Sequence, residues 1–171
     1  MRSVGLVVLL LSLAPATVSA QSDGGPVQTP TSPLPKFVVT LALGDTEAGS
    51  SGTFTPEATR ALADMKGFLP YKRYTPLDTI YLIGLGGPNQ QLRGLDGQHQ
   101  LLMRGARVSP TAVKIDMLRL TGVWPPPEKT EGYRGLLIDT SFSIQAGETV
   151  VVGTSRLDGN RALILLVTAA K

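Results

Sequence analysis

Three side chains of the sequence have the chemistry of a catalytic site. Asp45 and Glu47 lie two positions apart in the small polar segment 44–52, and His99 is the single histidine. Two neighbouring carboxylates catalyse glycoside hydrolysis when one of them has a raised pKa and serves as the acid. A polar loop offers little burial to raise a pKa, so we expect both carboxylates to be solvated. We keep a small exported hydrolase that uses Asp45, Glu47 or His99 as the alternative hypothesis for this chain.

Neither a metal site nor a cofactor site is predicted. A metal ion needs several His, Cys or carboxylate ligands, whereas cysteine is absent and Asp96 is the one acid close to His99. No serine stands in the Gly-x-Ser-x-Gly motif of a hydrolase nucleophile. The glycines at 84–87 precede Pro88, which disfavours a helix whose N-terminus would bind phosphate. We expect a structural role for His99 and no enzymatic activity.

A group of basic side chains is the predicted binding surface. Its members lie between two tyrosines or near a predicted hairpin: Lys72, Arg73, Arg93, Arg104 and Arg107. Clustered cations attract acidic partners, polysaccharides or lipid head groups. The alternative is an ordinary solvated face, since most charged side chains are exposed.

Trp124 is the second candidate for binding, because it precedes three prolines at 125–127. Polyproline geometry is pre-ordered and an indole offers a large amphipathic surface, which suits a protruding recognition loop. Packing of Trp124 over the end of a sheet is an equally good interpretation. Prolines donate no backbone N–H, so the sequence predicts a loop over 125–132 in either case.

The first twenty residues have the features of a signal peptide. Arg2 supplies a positive start, residues 4–14 are apolar, and small residues before position 21 fit cleavage after Ala20. An uncleaved anchor is the alternative, but the run is well short of the ~20 apolar residues that cross a bilayer. Residues 21–35 are rich in proline and polar groups and are predicted to be a flexible tether. We therefore expect an exported protein, periplasmic or extracellular, with no membrane span after cleavage.

Charge and composition exclude some classes of protein. Loss of residues 1–20 takes one arginine from the 16 basic side chains, which leaves 15 against 13 acidic ones and a net charge of +2. This balance lacks the basic footprint of a nucleic-acid-binding protein. Without cysteine, stability must come from the core, and with 5% aromatic residues that core must be aliphatic.

Hydrophobic periodicity predicts a single β-rich domain over 36–171. Residues 37–43 alternate as a strand. Thr55 as the N-cap and Pro56 in the first turn predict a helix from 56 to 66, which Gly67 ends in the left-handed conformation.

The middle of the chain contains further strand signals. Residues 71–83 predict one strand interrupted at Pro76, or two short ones. Asp96–Gly97 predicts a hairpin turn between 90–95 and 98–103. The apolar phase of 112–123 changes parity, which predicts a β-bulge near Met117–Leu118.

The C-terminal segment predicts three strands, over 136–144, 148–155 and 161–169. The first has a core-facing set at even positions: Leu136, Ile138, Thr140, Phe142 and Ile144. Because 162–167 is apolar at both parities, we expect a central strand covered by the helix on one face and by more strands on the other. The fold class predicted is mainly β, an antiparallel β-sandwich-like domain with one short α-helix packed on the sheet.

The stretch 136–155, LLIDTSFSIQAGETVVVGTS, resembles the strand-turn-strand of secretins, the outer-membrane gate proteins of bacterial secretion and pilus systems. Gly147, Thr149, the valines at 150–152 and Gly153 match a GxTvvvGG-like run, and Thr154 stands where that family has a second glycine. A secretin is several times longer and contains a multimeric barrel. The whole chain, with its signal, tether, strands and helix, looks more like small exported β-rich proteins of Gram-negative bacteria, and this likeness implies an accessory role in the envelope rather than a gate.

Taken together, the sequence favours a non-enzymatic exported binding or structural component of the bacterial cell envelope, as an accessory to a secretion or pilus system. Its expected partner is an envelope protein or another copy of the chain, contacted through strand edges or loops. The hydrolase and a secretin-like oligomer are the other hypotheses.

Overall fold

The computed structural model describes residues 33–94, 97–123, 134–157 and 159–171. The predicted signal peptide, most of the predicted tether, Asp96, Trp124 and the predicted loop 125–132 lie outside these residues. The elements in chain order are β1 (Lys36–Asp45), α1 (Pro56–Asp64), β2 (Arg73–Ile83), β3 (Gln90–Arg93), β4 (Gln98–Arg107), β5 (Ala112–Val123), β6 (Arg134–Gln145), β7 (Thr149–Arg156) and β8 (Arg161–Ala169).

The strands form two four-stranded antiparallel sheets. Sheet A has the order β2-β1-β8-β7 and sheet B the order β3-β4-β5-β6. Alternate side chains of both sheets meet in one aliphatic core between them, as expected for a sandwich. The predicted fold class, a mainly β sandwich-like domain with one short helix, is confirmed.

Strand β8 lies at the centre of sheet A and is buried on both faces. Leu163, Leu165 and Val167 point into the core between the sheets. Ile164 and Leu166 point to the other side, where they form a second cluster with helix α1. The two-layer covering predicted for the segment 162–167 is therefore confirmed.

Helix α1 begins as predicted but ends earlier. Thr55 is the N-cap, and its Oγ1 accepts a hydrogen bond from the Ala58 N–H at 3.2 Å. The helix ends at Asp64 and not at residue 66, and Gly67 is not in the left-handed conformation, so that part of the prediction is wrong. The Met65 carbonyl accepts the N–H groups of residues 68 and 69, which turns the chain without any positive φ. Within the described residues, no helix is long and apolar enough to cross a membrane.

Strand β2 is continuous and lies at the edge of sheet A. Its register with β1 shifts where Leu41 faces Asp78 and Ala42 faces Pro76, so the residue between them is bulged. An edge strand tolerates proline because one side of its backbone has no partner strand. This explains why Pro76 does not break the strand.

Two further bulges set which side chains reach the core. In β5 the register shifts between Ile115 and Leu118, both of which are fully buried, so the bulge predicted at this place is confirmed. A second shift lies opposite Leu137 in β6. The prediction of a buried Leu136 is wrong: its side chain is 56% exposed, and Leu137 packs on the core in its place.

The turn between β6 and β7 passes from one sheet to the other. Gly147 adopts a φ of 85°, which residues other than glycine rarely adopt. Its N–H donates to the Ala169 carbonyl of β8. The Ala146 N–H donates to the Thr111 carbonyl beside β5. The two strands of the secretin-like segment therefore belong to different sheets and do not pair with each other.

Replacement of Leu165 tests the dependence of the fold on β8. Because this side chain is fully buried between the sheets, Leu165→Ala should lower the free energy of unfolding by about 2–5 kcal/mol in urea denaturation. The control Leu136→Ala removes the same atoms from an exposed position and should change it by less than about 0.5 kcal/mol. Equal effects of the two changes would contradict the burial assigned here.

Candidate functional site

A pocket of about 730 Å³ lies beside helix α1. It is formed by the helix and by the segments 51–54 and 67–74 on either side of it. Its lining residues are Ser51, Gly52, Phe54, Thr59, Leu62, Ala63, Lys66, Gly67, Leu69, Pro70, Tyr71, Lys72 and Tyr74. The volume is within the range of about 300–1,000 Å³ typical of small-molecule sites.

The apolar face of α1 fixes one wall of the pocket. Ala58 and Leu62 are buried against Ile164 and Leu166 of β8. Tyr71 comes close to the sheet because Gly44 has no side chain: a Cβ there would lie 2.8 Å from the Tyr71 ring. The helix and the ring thus both rest on sheet A.

Backbone hydrogen bonds hold the other wall. The Gly52 N–H donates to the Tyr74 carbonyl at 2.8 Å, and the Tyr74 N–H donates to the Ser51 hydroxyl at 3.1 Å. The Lys72 N–H donates to the Asp45 carbonyl at 2.8 Å. These bonds tie the connection before α1 to the start of β2, so the pocket is built before any ligand arrives.

Two tyrosines meet edge to face in the lining. The ring centroids of Tyr71 and Tyr74 are 6.5 Å apart and their planes are inclined by 84°. The Tyr74 Oη is buried and has no hydrogen-bond partner among the described residues. Burial, and to a smaller extent Tyr71, raises the pKa of the Tyr74 phenol. The phenol therefore remains a protonated hydrogen-bond donor at neutral pH.

This pocket is not predicted by the sequence pattern. Lys72 and the flanking tyrosines are predicted to be parts of a cationic surface instead. The available signal is the apolar run 68–70 directly before Tyr71 and Lys72, whereas the helix that faces them is decided by packing. In chemical terms the pocket offers an apolar body, two exposed lysines and a buried hydroxyl.

Asp45 and Glu47 line a second, open depression of about 530 Å³ together with Gly159, Asn160 and Arg161. Asp45 is 6% exposed, and its carboxylate is bound by the Arg73 guanidinium and by the Glu47 N–H. The expectation of a solvated Asp45 is therefore wrong. The loop folds back on its own backbone and buries the carboxylate beside a cation.

The hydrogen bonds of Asp45 determine its charge state. The Glu47 N–H makes the largest contribution and lowers the pKa of the Asp45 carboxyl; burial opposes it, and Arg73 and Arg161 lower the pKa further. The net direction is downward from the ordinary value of 3.8. A carboxyl with a lowered pKa is ionised at neutral pH and is a poor proton donor, which disfavours the acid role in glycoside hydrolysis.

His99 is buried, at 4% exposure, on β4 of sheet B, where it faces Leu92 of β3 in the register. Its imidazole lies between two glycines: a Cβ on Gly94 would come within 1.9 Å of Cε1, and one on Gly122 within 2.3 Å of Cδ2. His99 is not among the residues that line the Asp45 depression. Among the described residues no group of three or more His, Cys, Asp or Glu side chains is placed to hold a metal ion.

The arginines predicted as a binding surface are spread along sheet B. Arg93 faces Gln98 at the β3–β4 pairing, and Arg104 is six positions further along β4, about 20 Å away. Arg107 ends β4 and donates to the Pro33 carbonyl at 2.6 Å. Lys72 and Arg73 lie on the other sheet or its connection. Trp124 lies outside the part of the chain that the structure describes, and its role stays a prediction.

Comparison with known proteins adds no relative to these observations: no family model, no curated protein and no solved structure matches the chain. The resemblance of 136–155 to secretins stays a prediction. The candidate sites are therefore judged by their own geometry.

The charge state of Asp45 can be tested through pH. Since its folded pKa is lowered, the carboxylate stabilises the fold above the ordinary pKa and loses this effect as pH falls through the lowered value. Asp45→Asn should lower the Tm at neutral pH, and the gap to the wild type should close on acidification to about pH 2. Asp116→Asn, in an exposed pair with Lys114, is the control. A gap that stays constant over this range would contradict the assignment.

The glycine contacts of His99 lead to a second test. Gly122→Ala should lower the free energy of unfolding by about 1–3 kcal/mol, because the new methyl group overlaps the buried ring. In a His99→Ala background, Gly122→Ala should lower the free energy of unfolding by a smaller amount than in the wild type, and the difference should be at least about 0.5 kcal/mol. Gly67→Ala, whose Cβ has open space, is the control. Strictly additive costs in denaturant unfolding would show that the ring does not limit position 122.

Proposed function

We propose that this protein is a non-enzymatic, exported binding component of the bacterial cell envelope that takes the apolar part of a ligand into the pocket beside α1. The observation that carries the proposal is the pocket itself, preformed by backbone hydrogen bonds and lined by Phe54, Leu69 and two tyrosines. Concave apolar sites with a few polar groups are the usual form of ligand sites. Export is supported by the signal-like residues 1–20.

The edge strands of both sheets have features that disfavour pairing with a strand of another chain. We therefore favour the pocket over strand addition as the main contact site. Edge strand β2 carries Pro76 and a bulge, and β7 has a register shift between Val151 and Gly153. Bulges and prolines are devices that keep edge strands from pairing with other chains. Edge strand β3 has only 4 residues, and the fourth edge strand, β6, has a register shift at Leu137. We therefore expect contacts between copies of the chain or with an envelope protein at loops and at the pocket.

The hydrolase hypothesis has one observation in its favour, the shared depression of Asp45 and Glu47. The ion pair of Asp45 with Arg73 favours a structural role, because it joins the end of β1 to the start of β2. The lowered pKa of Asp45 also withholds the proton that an acid catalyst needs. We therefore prefer binding to hydrolysis.

Binding of a neutral apolar dye tests the proposal. The fluorescence of N-phenylnaphthylamine should rise on addition of the purified chain, with saturation at one site. The double variant Phe54→Ala/Leu69→Ala should weaken dye binding about tenfold or more, because each truncated side chain removes roughly 1–2 kcal/mol of apolar contact.

Phe68→Ala is the matched control for this experiment. Phe68 is adjacent in sequence and 82% exposed, but it does not line the pocket. Its truncation should leave dye binding unchanged. No saturable binding by the wild type, or equal losses in the control and the double variant, would overturn the proposed site.

A further inference from the structure

The charges of the pocket beside α1 all have one sign. Among its lining residues, only Lys66 and Lys72 have a formal charge at neutral pH. In the described part of the chain neither ammonium group has a carboxylate within ion-pair distance. The Asp45 carbonyl accepts from the Lys72 N–H, but the Asp45 carboxylate is bound by Arg73. The pocket therefore presents uncompensated positive charge.

The polar atoms of the pocket are mainly donors. A lysine ammonium group donates and does not accept. The Tyr74 Oη is buried, so it is out of reach of a ligand in the open pocket. The Ser51 hydroxyl already accepts from the Tyr74 N–H. A ligand that fits these groups must bring acceptor oxygen atoms.

The remaining lining is apolar and large enough for more than an anion. Phe54, Leu62 and Leu69 are half-buried or buried and belong to the cluster between α1 and sheet A. An inorganic anion would leave this surface in contact with water. An apolar body attached to the anionic group would cover it.

We infer that the pocket beside α1 binds an amphipathic organic anion, such as an acyl or aryl carboxylate, with its head group at Lys66 and Lys72 and its apolar part against Phe54 and Leu69. This inference rests on the proposed function, since it names the ligand class of the same pocket. The ligand is a dispersed small molecule and not a membrane surface.

Displacement of the neutral dye by matched ten-carbon compounds tests the ligand class. Decanoate, decanol and decylammonium share an apolar chain and differ in head-group charge. The full chain should prefer decanoate over decanol by about three- to thirtyfold, as two exposed charge contacts predict, and should bind decylammonium most weakly.

Variants assign the preference to named groups. Lys66→Gln and Lys72→Gln should each reduce the ratio of decanoate affinity to decanol affinity, with both affinities measured against the dye in the same variant. Lys114→Gln removes an exposed charge from β5 of the other sheet and should have no effect.

The outcomes separate the two proposals. Dye binding with equal affinities for decanoate and decanol would overturn the anion inference and leave the binding proposal standing. Absence of dye binding would overturn the binding proposal itself. Sedimentation with phosphatidylglycerol vesicles but no displacement by dispersed decanoate would replace the small-molecule ligand with a membrane surface.

Discussion

Desolvation of β8 on both of its faces is the constraint on which the structure depends. Every residue from 162 to 167 is buried, so this strand must have a partner layer above and below it. Sheet B covers one face with aliphatic side chains, and α1 covers the other. A chain without cysteine has no covalent link to replace this burial, which makes the two interfaces of β8 the main source of its stability.

The two interfaces of β8 differ in size and in the elements that form them. The one between the sheets is broad and aliphatic, and bulges in β2, β5 and β6 adjust which side chains enter it. The one under α1 is small, because a nine-residue helix cannot cover a whole sheet face. The connections on either side of the helix fill part of the remaining space and leave the pocket. A pocket beside a short helix thus follows from incomplete coverage of sheet A.

Sequence patterns predicted those structural features that depend on residues close together in the chain. The alternation in β1, the Thr55 cap and the parity change in β5 each depend on neighbours a few positions away. The alternation predicts a buried Leu136, whereas Leu137 packs on the core in its place. Both residues are leucines, so no change of residue type marks the bulge. The burial of Asp45 was missed because its partner Arg73 is 28 positions away, a separation that no short-range pattern reports.

The sequence by itself determined where the helix and most strands lie along the chain, the aliphatic character of the core and the need to cover β8 twice, because side-chain alternation and apolarity act along the chain. Only the tertiary structure decided that β6 and β7 separate into different sheets, that Asp45 is held by a cation, and that Lys66, Lys72 and Tyr74 share one pocket. These are contacts between segments that approach each other after packing, and their free energies depend on which surfaces meet.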